Sequence, residues 1–194
     1  MKIGDGGPIP GTRNILLTGF MGSGKTVVGR ILGKRLGWRF IDTDDLIRER
    51  AGRDIPRIFE HEGEGEFRKL EKDAIASLSG ASGMVIATGG GAVLDPVNME
   101  ALRSLGPIVW LRASEQTILD RVGPGNDRPL LAGACSTEER YRLIRDLLGQ
   151  REEVYAKADI AVDTENSEPS EVAMKVLRAL EGLAARSREE IEER

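Results

Sequence analysis

The sequence carries one histidine, His61, and one cysteine, Cys135, among 194 residues. A single cysteine excludes an internal disulfide framework and a structural zinc site built from cysteines. A single histidine excludes a multi-histidine metal site and leaves any Ser-His-Asp arrangement one candidate base. Neither residue matches a motif, and both read as solvent or loop positions. Positive charge is not in excess either. The net charge is −4, so no global basic field draws nucleic acid or an anionic membrane. No window reaches 18 consecutive apolar residues, so no membrane span is expected. The opening MKIGDGGPIPGTRN lacks the apolar stretch of a secretory signal, and with one thiol a reducing cytoplasm is the expected compartment.

What the chain has in surplus is glycine, 24 residues of it, about 12% against a typical usage of about 7%. The length suits one domain, expected over 14–182. Residues 1–13 read as a flexible Gly/Pro leader, and 183–194 as a charged tail at the frayed end of a last helix. Apolar strand-like runs at 14–18, 39–42, 84–88, 108–111 and 160–163 alternate with helical patterns. The helical patterns fall at about 25–36, 43–79, from 95, from 114, at 137–155 and from 168. Strands that are apolar throughout, separated by helices, predict an α/β fold with a parallel sheet covered on both faces. Ligands of such sheets bind beyond the carboxyl ends of the strands.

Residues 19–26 read Gly19-Phe-Met-Gly22-Ser23-Gly24-Lys25-Thr26, directly after the first apolar run and at the start of a helix. This is the G-x-x-x-x-G-K-[ST] pattern of a phosphate-binding loop. Its glycines let successive N–H groups turn inward, and the helix N-terminus adds its positive end. Lys25 supplies a charge for the β- and γ-phosphates, and the Thr26 hydroxyl can ligate Mg²⁺. A switch GTPase would also carry such a loop, but the guanine-reading N-K-x-D pattern is missing. Asp146-Leu-Leu-Gly149 matches D-x-x-G only within a late helix. A small-molecule kinase is the better reading.

The second strand ends Asp42-Thr43-Asp44. In an extended segment, spacing i, i+2 puts both carboxylates on one side. One can hold Mg²⁺ through water, and the other can accept a hydrogen bond from a substrate hydroxyl. The competing reading is that Thr43 or Asp44 caps the following helix. The third strand ends in Thr88 and the triplet Gly89-Gly90-Gly91, which can offer only backbone N–H groups or close approach. Both suit an anionic acceptor beside the γ-phosphate. Arg68 in Gly63-Glu64-Gly65-Glu66-Phe67-Arg68, and Arg151 in Arg151-Glu-Glu-Val-Tyr155, add forks that bind carboxylates. The Gly/Pro-rich stretch 123–136 has the look of a lid, and its Arg128 can enter as an arginine finger in cis.

In this order, the phosphate loop, D-T-D, G-E-x-E-F-R, G-G-G, R-P-L-L and R-x-x-x-Y resemble the shikimate kinase family over about residues 14–180. The resemblance implies a three-layer α/β/α P-loop fold with a five-stranded parallel sheet in the order 2-3-1-4-5. It implies transfer of the ATP γ-phosphate to the 3-hydroxyl of shikimate, a step toward chorismate and the aromatic amino acids. It implies Mg²⁺ as cofactor, ATP and shikimate as small-molecule partners, no nucleic-acid or membrane partner, and a monomer.

By the same resemblance, Gly22, Ser23, Gly24, Lys25, Thr26 and Val27 bind ATP, and Thr26 ligates Mg²⁺ with Asp42 assisting through water. Asp44 contacts the acceptor hydroxyls and is the candidate base. Arg68 and Arg151 clamp the carboxylate, and the triplet Gly89, Gly90 and Gly91 lines the acceptor site, Gly90 and Gly91 by backbone. Arg128 closes onto the phosphates, Arg121 packs on adenine, and Pro169 contacts it from the loop 163–169. Phe59 and Phe67 sit beside the acceptor, although as aromatics they could equally be core. The family often has R-x-P-L-Y where this chain has Arg151-Glu-Glu-Val-Tyr155, and the missing proline can alter how that helix ends. The alternative is another hydroxy-acid kinase, such as a gluconate kinase. The Gly89–Gly91 triplet and the 63–68 segment argue against it.

Overall fold

The computed structural model describes residues 11–123, 129–131, 133 and 136–192. Five strands, β1 (Asn14–Thr18), β2 (Arg39–Asp42), β3 (Met84–Ala87), β4 (Ile108–Arg112) and β5 (Ile160–Asp163), form one sheet in the order β2-β3-β1-β4-β5. Every pairing is parallel, with Leu16 opposite both Ile86 and Ile108. The crossovers are helical: α1 (Lys25–Leu36) follows β1, and α2 (Thr43–Ala51), α3 (Ile55–His61) and α4 (Gly63–Ala76) separate β2 from β3. Beyond them α5 (Pro96–Leu105) precedes β4, α6 (Glu115–Val122) and α7 (Thr137–Tyr155) precede β5, and α8 (Pro169–Glu192) closes the chain.

Alternation along β1 explains why the sheet is buried on both sides. Ile15 and Leu17 point to one core, shared with Val28 and Leu32 of α1 and Val172 and Val176 of α8. Leu16 points to the other, with Ile75, Leu102 and Ile144 from α4, α5 and α7. A smaller cluster, Ile47, Ile58, Phe67 and Ala74, holds the α2–α4 arm together.

The 43–79 pattern resolves into three helices, broken at the positive-φ glycines Gly52 and Gly63. The charged segment after 182 belongs to the last helix, α8, which extends to Glu192. His61 is solvent-exposed, as expected, and is the last residue of α3. Cys135 lies outside the described residues.

One buried polar side chain ties the sheet to its surroundings. Asn14 is fully buried, its Nδ2 donating to Ala81 O at 2.9 Å and Leu105 O at 3.0 Å while its Oδ1 accepts from Met84 N at 3.1 Å. Asn14→Ala leaves these three backbone groups without that partner, a loss of about 3 kcal/mol. Urea unfolding should show a lowered midpoint at unchanged m value, and an unmoved midpoint would contradict this role.

Candidate functional site

Two clefts open beyond the carboxyl ends of the strands, as a doubly wound sheet predicts. The larger, about 520 Å³, is lined by the 21–28 loop and helix start, Asp42, Asp44, Thr88, Gly90, Arg121, Thr164 and 167–169. The smaller, about 170 Å³, is lined by Asp44, Arg48, Phe59, Phe67, Arg68, Glu71, the Gly89–Gly91 triplet, Leu130 and Arg151. Met21, Asp44 and Gly90 line both, so the two clefts meet there.

The loop between β1 and α1 wraps the floor of the larger cleft. Gly24 has φ +93, left-handed backbone that favours glycine, and it delivers the chain directly into the first turn of α1. The leading N–H groups of that helix have no intrahelical acceptor, and Gly24, Lys25, Thr26 and Val27 all line the cleft. Lys25 Nζ crosses the loop, donating to Gly19 O at 2.7 Å and Phe20 O at 2.9 Å. Val27 is half exposed at 52%, an apolar surface facing this cleft.

Thr26 Oγ1 donates to Asp42 Oδ2 at 2.9 Å. A hydroxyl and a carboxylate are hard oxygen donors that fit Mg²⁺ and not a soft metal. Among the described residues no three His, Cys, Asp or Glu side chains gather on one point. The remaining ligands of a cation held here would be water and phosphate oxygens, as Mg²⁺ prefers.

The carboxylate pair is arranged differently from the extended-strand expectation. The helix starts at Thr43, so Asp44 stands on its first turn, and Asp42, the last residue of β2, is the cap whose Oδ1 accepts from Asp44 N at 3.1 Å. The strand-to-helix turn brings the two carboxylates to one cleft, not alternation along a strand. Thr43 is no cap either. It is buried, and its Oγ1 accepts from Gly89 N at 2.9 Å, joining α2 to the glycine triplet.

None of the three glycines has a positive φ, so a left-handed turn does not explain them. Space does. A Cβ on Gly89 would lie 2.8 Å from Asp44 Oδ1, and one on Gly91 would lie 2.9 Å from Arg68 Nη1. With the Gly89 N–H taken by Thr43, the triplet groups that can face a ligand are those of Gly90 and Gly91.

Arg68 of α4 is fixed by two helical neighbours, donating to Glu71 Oε2 at 2.8 Å and Glu64 Oε1 at 3.0 Å. Burial opposes its charge, but the hydrogen bonds and charges of Glu71 and then Glu64 outweigh it and hold the guanidinium pKa above its ordinary value. Glu71 is only 1% exposed. Burial pushes its pKa up, Arg68 opposes that push, and the nearby charges of Asp44 and Asp95 add to it. The sequence reading missed Glu71, although a position three residues past Arg68 in a helical pattern is where a partner stands.

Arg151 is a buried arginine of α7, 7% exposed, with its guanidinium over the Phe20 ring at 5.4 Å. The missing proline leaves no break after it: α7 runs through Tyr155 and is capped at Ala156. Phe59 and Phe67 line the smaller cleft and also pack in the α2–α4 cluster, ring centroids 4.7 Å apart, so the two readings of them hold together.

At the far wall of the larger cleft, Arg121 of α6 bridges loop to loop. It donates to Thr164 Oγ1 and Thr164 O, both at 3.0 Å, and to Gly22 O at 3.4 Å. Glu165 secures the same loop, accepting from Ser114 N at 2.6 Å and Thr117 Oγ1 at 2.7 Å. These bonds, the Ser114 N–H first, hold the Glu165 carboxyl below its ordinary range. Pro169 lines the cleft beside them at the start of α8. Arg128 lies outside the described residues.

The family model described as shikimate kinase matches residues 21–181. A shikimate kinase of Moorella thermoacetica is 48% identical over 167 residues, 86% of this chain and 94% of that protein. One from Geobacter sulfurreducens is 48% identical over 84% of this chain and 88% of its own. Among solved structures, the Acinetobacter baumannii shikimate kinase in complex with shikimate superposes with a TM-score of 0.80 at 37% identity, covering 87% of this chain and 92% of that one. A gluconokinase of Sinorhizobium meliloti reaches a TM-score of 0.63 at 20% identity, a likeness of fold alone. A family match over residues 21–181, with relatives at 48% identity over most of both chains, means that this chain belongs to the shikimate kinase family.

Proposed function

We propose that the protein transfers the γ-phosphoryl group of ATP to the 3-hydroxyl of shikimate, giving shikimate 3-phosphate and ADP. The observation that carries this is the junction of the two clefts at Met21, Asp44 and Gly90, with a phosphate loop on one side and Arg68 and Arg151 among the residues on the other. A donor phosphate over Lys25 and an acceptor hydroxyl at Asp44 would face each other across it. The acceptor oxygen forms the new bond to γ-phosphorus, the bond to the ADP oxygen breaks, and the hydroxyl proton passes to the Asp44 carboxylate.

In this reading the amides of the phosphate loop and Lys25 hold the β- and γ-phosphates. Thr26 and Asp42 would hold Mg²⁺, which neutralises charge on the phosphate oxygens. Arg121 and Pro169 enclose adenine, with Val27 beneath. Arg68 and Arg151 grip the acceptor carboxylate from α4 and α7, the Gly90–Gly91 backbone approaches the ring hydroxyls, and Phe59 and Phe67 cover the apolar ring face. Residues 14–182 serve as one catalytic domain and supply both clefts, so a monomer in the cytoplasm suffices. Among the described residues no helix is long and apolar enough to cross a membrane.

Coupled ADP release with shikimate and gluconate in parallel tests the choice of acceptor. Release is expected with shikimate, rising with Mg²⁺, and gluconate should give only the background of ATP hydrolysis. Turnover of gluconate without turnover of shikimate would overturn the assignment.

A further inference from the structure

Tyr155 is the largest fully buried side chain among the described residues, and the reaction described above gives it no task. It ends α7, one helical turn after Arg151. Its ring stacks on Trp110 with centroids 5.8 Å apart, which fixes it within the core. Its hydroxyl donates to Gly90 O at 2.6 Å. That carbonyl belongs to the glycine triplet, 65 residues away in sequence. The phenol lines neither cleft and stands behind the triplet.

The consequence lies in the peptide plane. Across a trans peptide, C=O and the following N–H point in opposite directions. A bond that draws Gly90 O back toward Tyr155 turns the Gly91 N–H forward, away from the core. On that side lies the smaller cleft, with the Arg68 guanidinium close to Gly91. Among the described residues no protein acceptor takes the Gly91 N–H. Glycine peptides rotate with little steric resistance, so without an anchor this plane is free to turn.

Burial pushes the phenol pKa up, and the charge of Arg151, one helical turn earlier, opposes that push.

We propose that Tyr155 is a positioning residue for acceptor binding, which aims the Gly91 N–H into the smaller cleft through its single hydroxyl. This rests on reading that cleft as the acceptor cavity.

The test is Tyr155→Phe, which keeps the ring and its stacking on Trp110 and removes only the oxygen. Initial rates are taken with shikimate varied at saturating ATP and with ATP varied at saturating shikimate, beside thermal unfolding and a parallel Arg68→Ala variant. We expect the shikimate KM of Tyr155→Phe to rise about tenfold, the effect of one misdirected charge-assisted hydrogen bond, while the ATP KM stays within about twofold. Equal changes in both KM values, or a lowered Tm with both KM values unmoved, would make Tyr155 a core residue and overturn the inference. Arg68→Ala separates the two levels. If it raises the shikimate KM and Tyr155→Phe does not, the cavity reading stands and the Tyr155 role falls. If Arg68→Ala leaves the shikimate KM unmoved, the cavity reading falls and takes the inference with it.

Discussion

Lys25→Ala is expected to lower kcat by about a thousandfold, the scale seen when one preorganised group facing developing charge is removed. That factor is about 4 kcal/mol of transition-state stabilisation. The reason is the position of Nζ. It lies inside the phosphate loop, bonded to Gly19 O and Phe20 O, and the lysine lines the larger cleft close to where the two clefts meet. Phosphoryl transfer passes through a loose transition state with charge spread over the equatorial oxygens, so charge placement matters more than a strong base. The two loop carbonyls lose this donor as well, so some loss of nucleotide affinity accompanies the loss of turnover. Shikimate affinity, measured by calorimetry in the absence of nucleotide, should not change, because Lys25 does not line the smaller cleft. A variant that keeps more than a tenth of its turnover would contradict the role.

The phosphate loop was legible because local chemistry alone dictates it. Gly24 needs a left-handed φ, and the motif itself marks the residues after it as the start of a helix. The sheet was legible for a similar reason: runs such as Ile15-Leu16-Leu17 are apolar on both faces, which only a covered parallel sheet can accommodate. The capping of α7 by Ser136 and Glu139 could also be read from spacing, since the capping box is a local motif.

What sequence could not give were relations between distant segments. The 43–79 region has helical periodicity throughout, and only the two positive-φ glycines decide that it becomes three helices. The Asp42–Asp44 pair has the right spacing for the wrong reason. Its members converge because β2 passes into α2 without a loop, which a pattern of alternating residues does not encode. Arg151 reads as a surface residue from composition, yet the helix that carries it turns it onto Phe20. The bond from Tyr155 to Gly90, like that from Thr43 to Gly89, leaves no periodic trace, because its partners come from separate elements. The glycine triplet was recognised as exposed backbone, but its requirement is room for Asp44 and Arg68 side chains that arrive from α2 and α4.

Asp44→Asn should lower kcat by about a hundredfold or more, the range of a positioned acid–base group, and at the same time raise the thermal midpoint near neutral pH. The two effects share one cause. Asp44 places a charge at the junction of the clefts, and that charge helps push the buried Glu71 carboxyl upward. A carboxyl whose folded pKa lies above its unfolded value adds stability only while protonated. That stability is present below the unfolded pKa and lost as pH rises through the folded one. At neutral pH the protein therefore carries Glu71 at a disadvantage, which the Asp44 charge deepens. An amide at position 44 keeps the shape and removes the charge, so the folded pKa of Glu71 falls toward its ordinary value and folding at neutral pH improves. The gain in Tm should fade as pH drops through the Glu71 titration, where the wild-type carboxyl is protonated and the Asp44 charge no longer opposes it. The ATP KM should stay within about threefold, since the nucleotide contacts proposed here do not use Asp44. Loss of activity joined to a gain in stability is the mark of a charge retained for its reaction. Near-normal turnover in Asp44→Asn would remove Asp44 from the chemistry, and a Tm that falls at neutral pH would mean that its charge supports the fold instead.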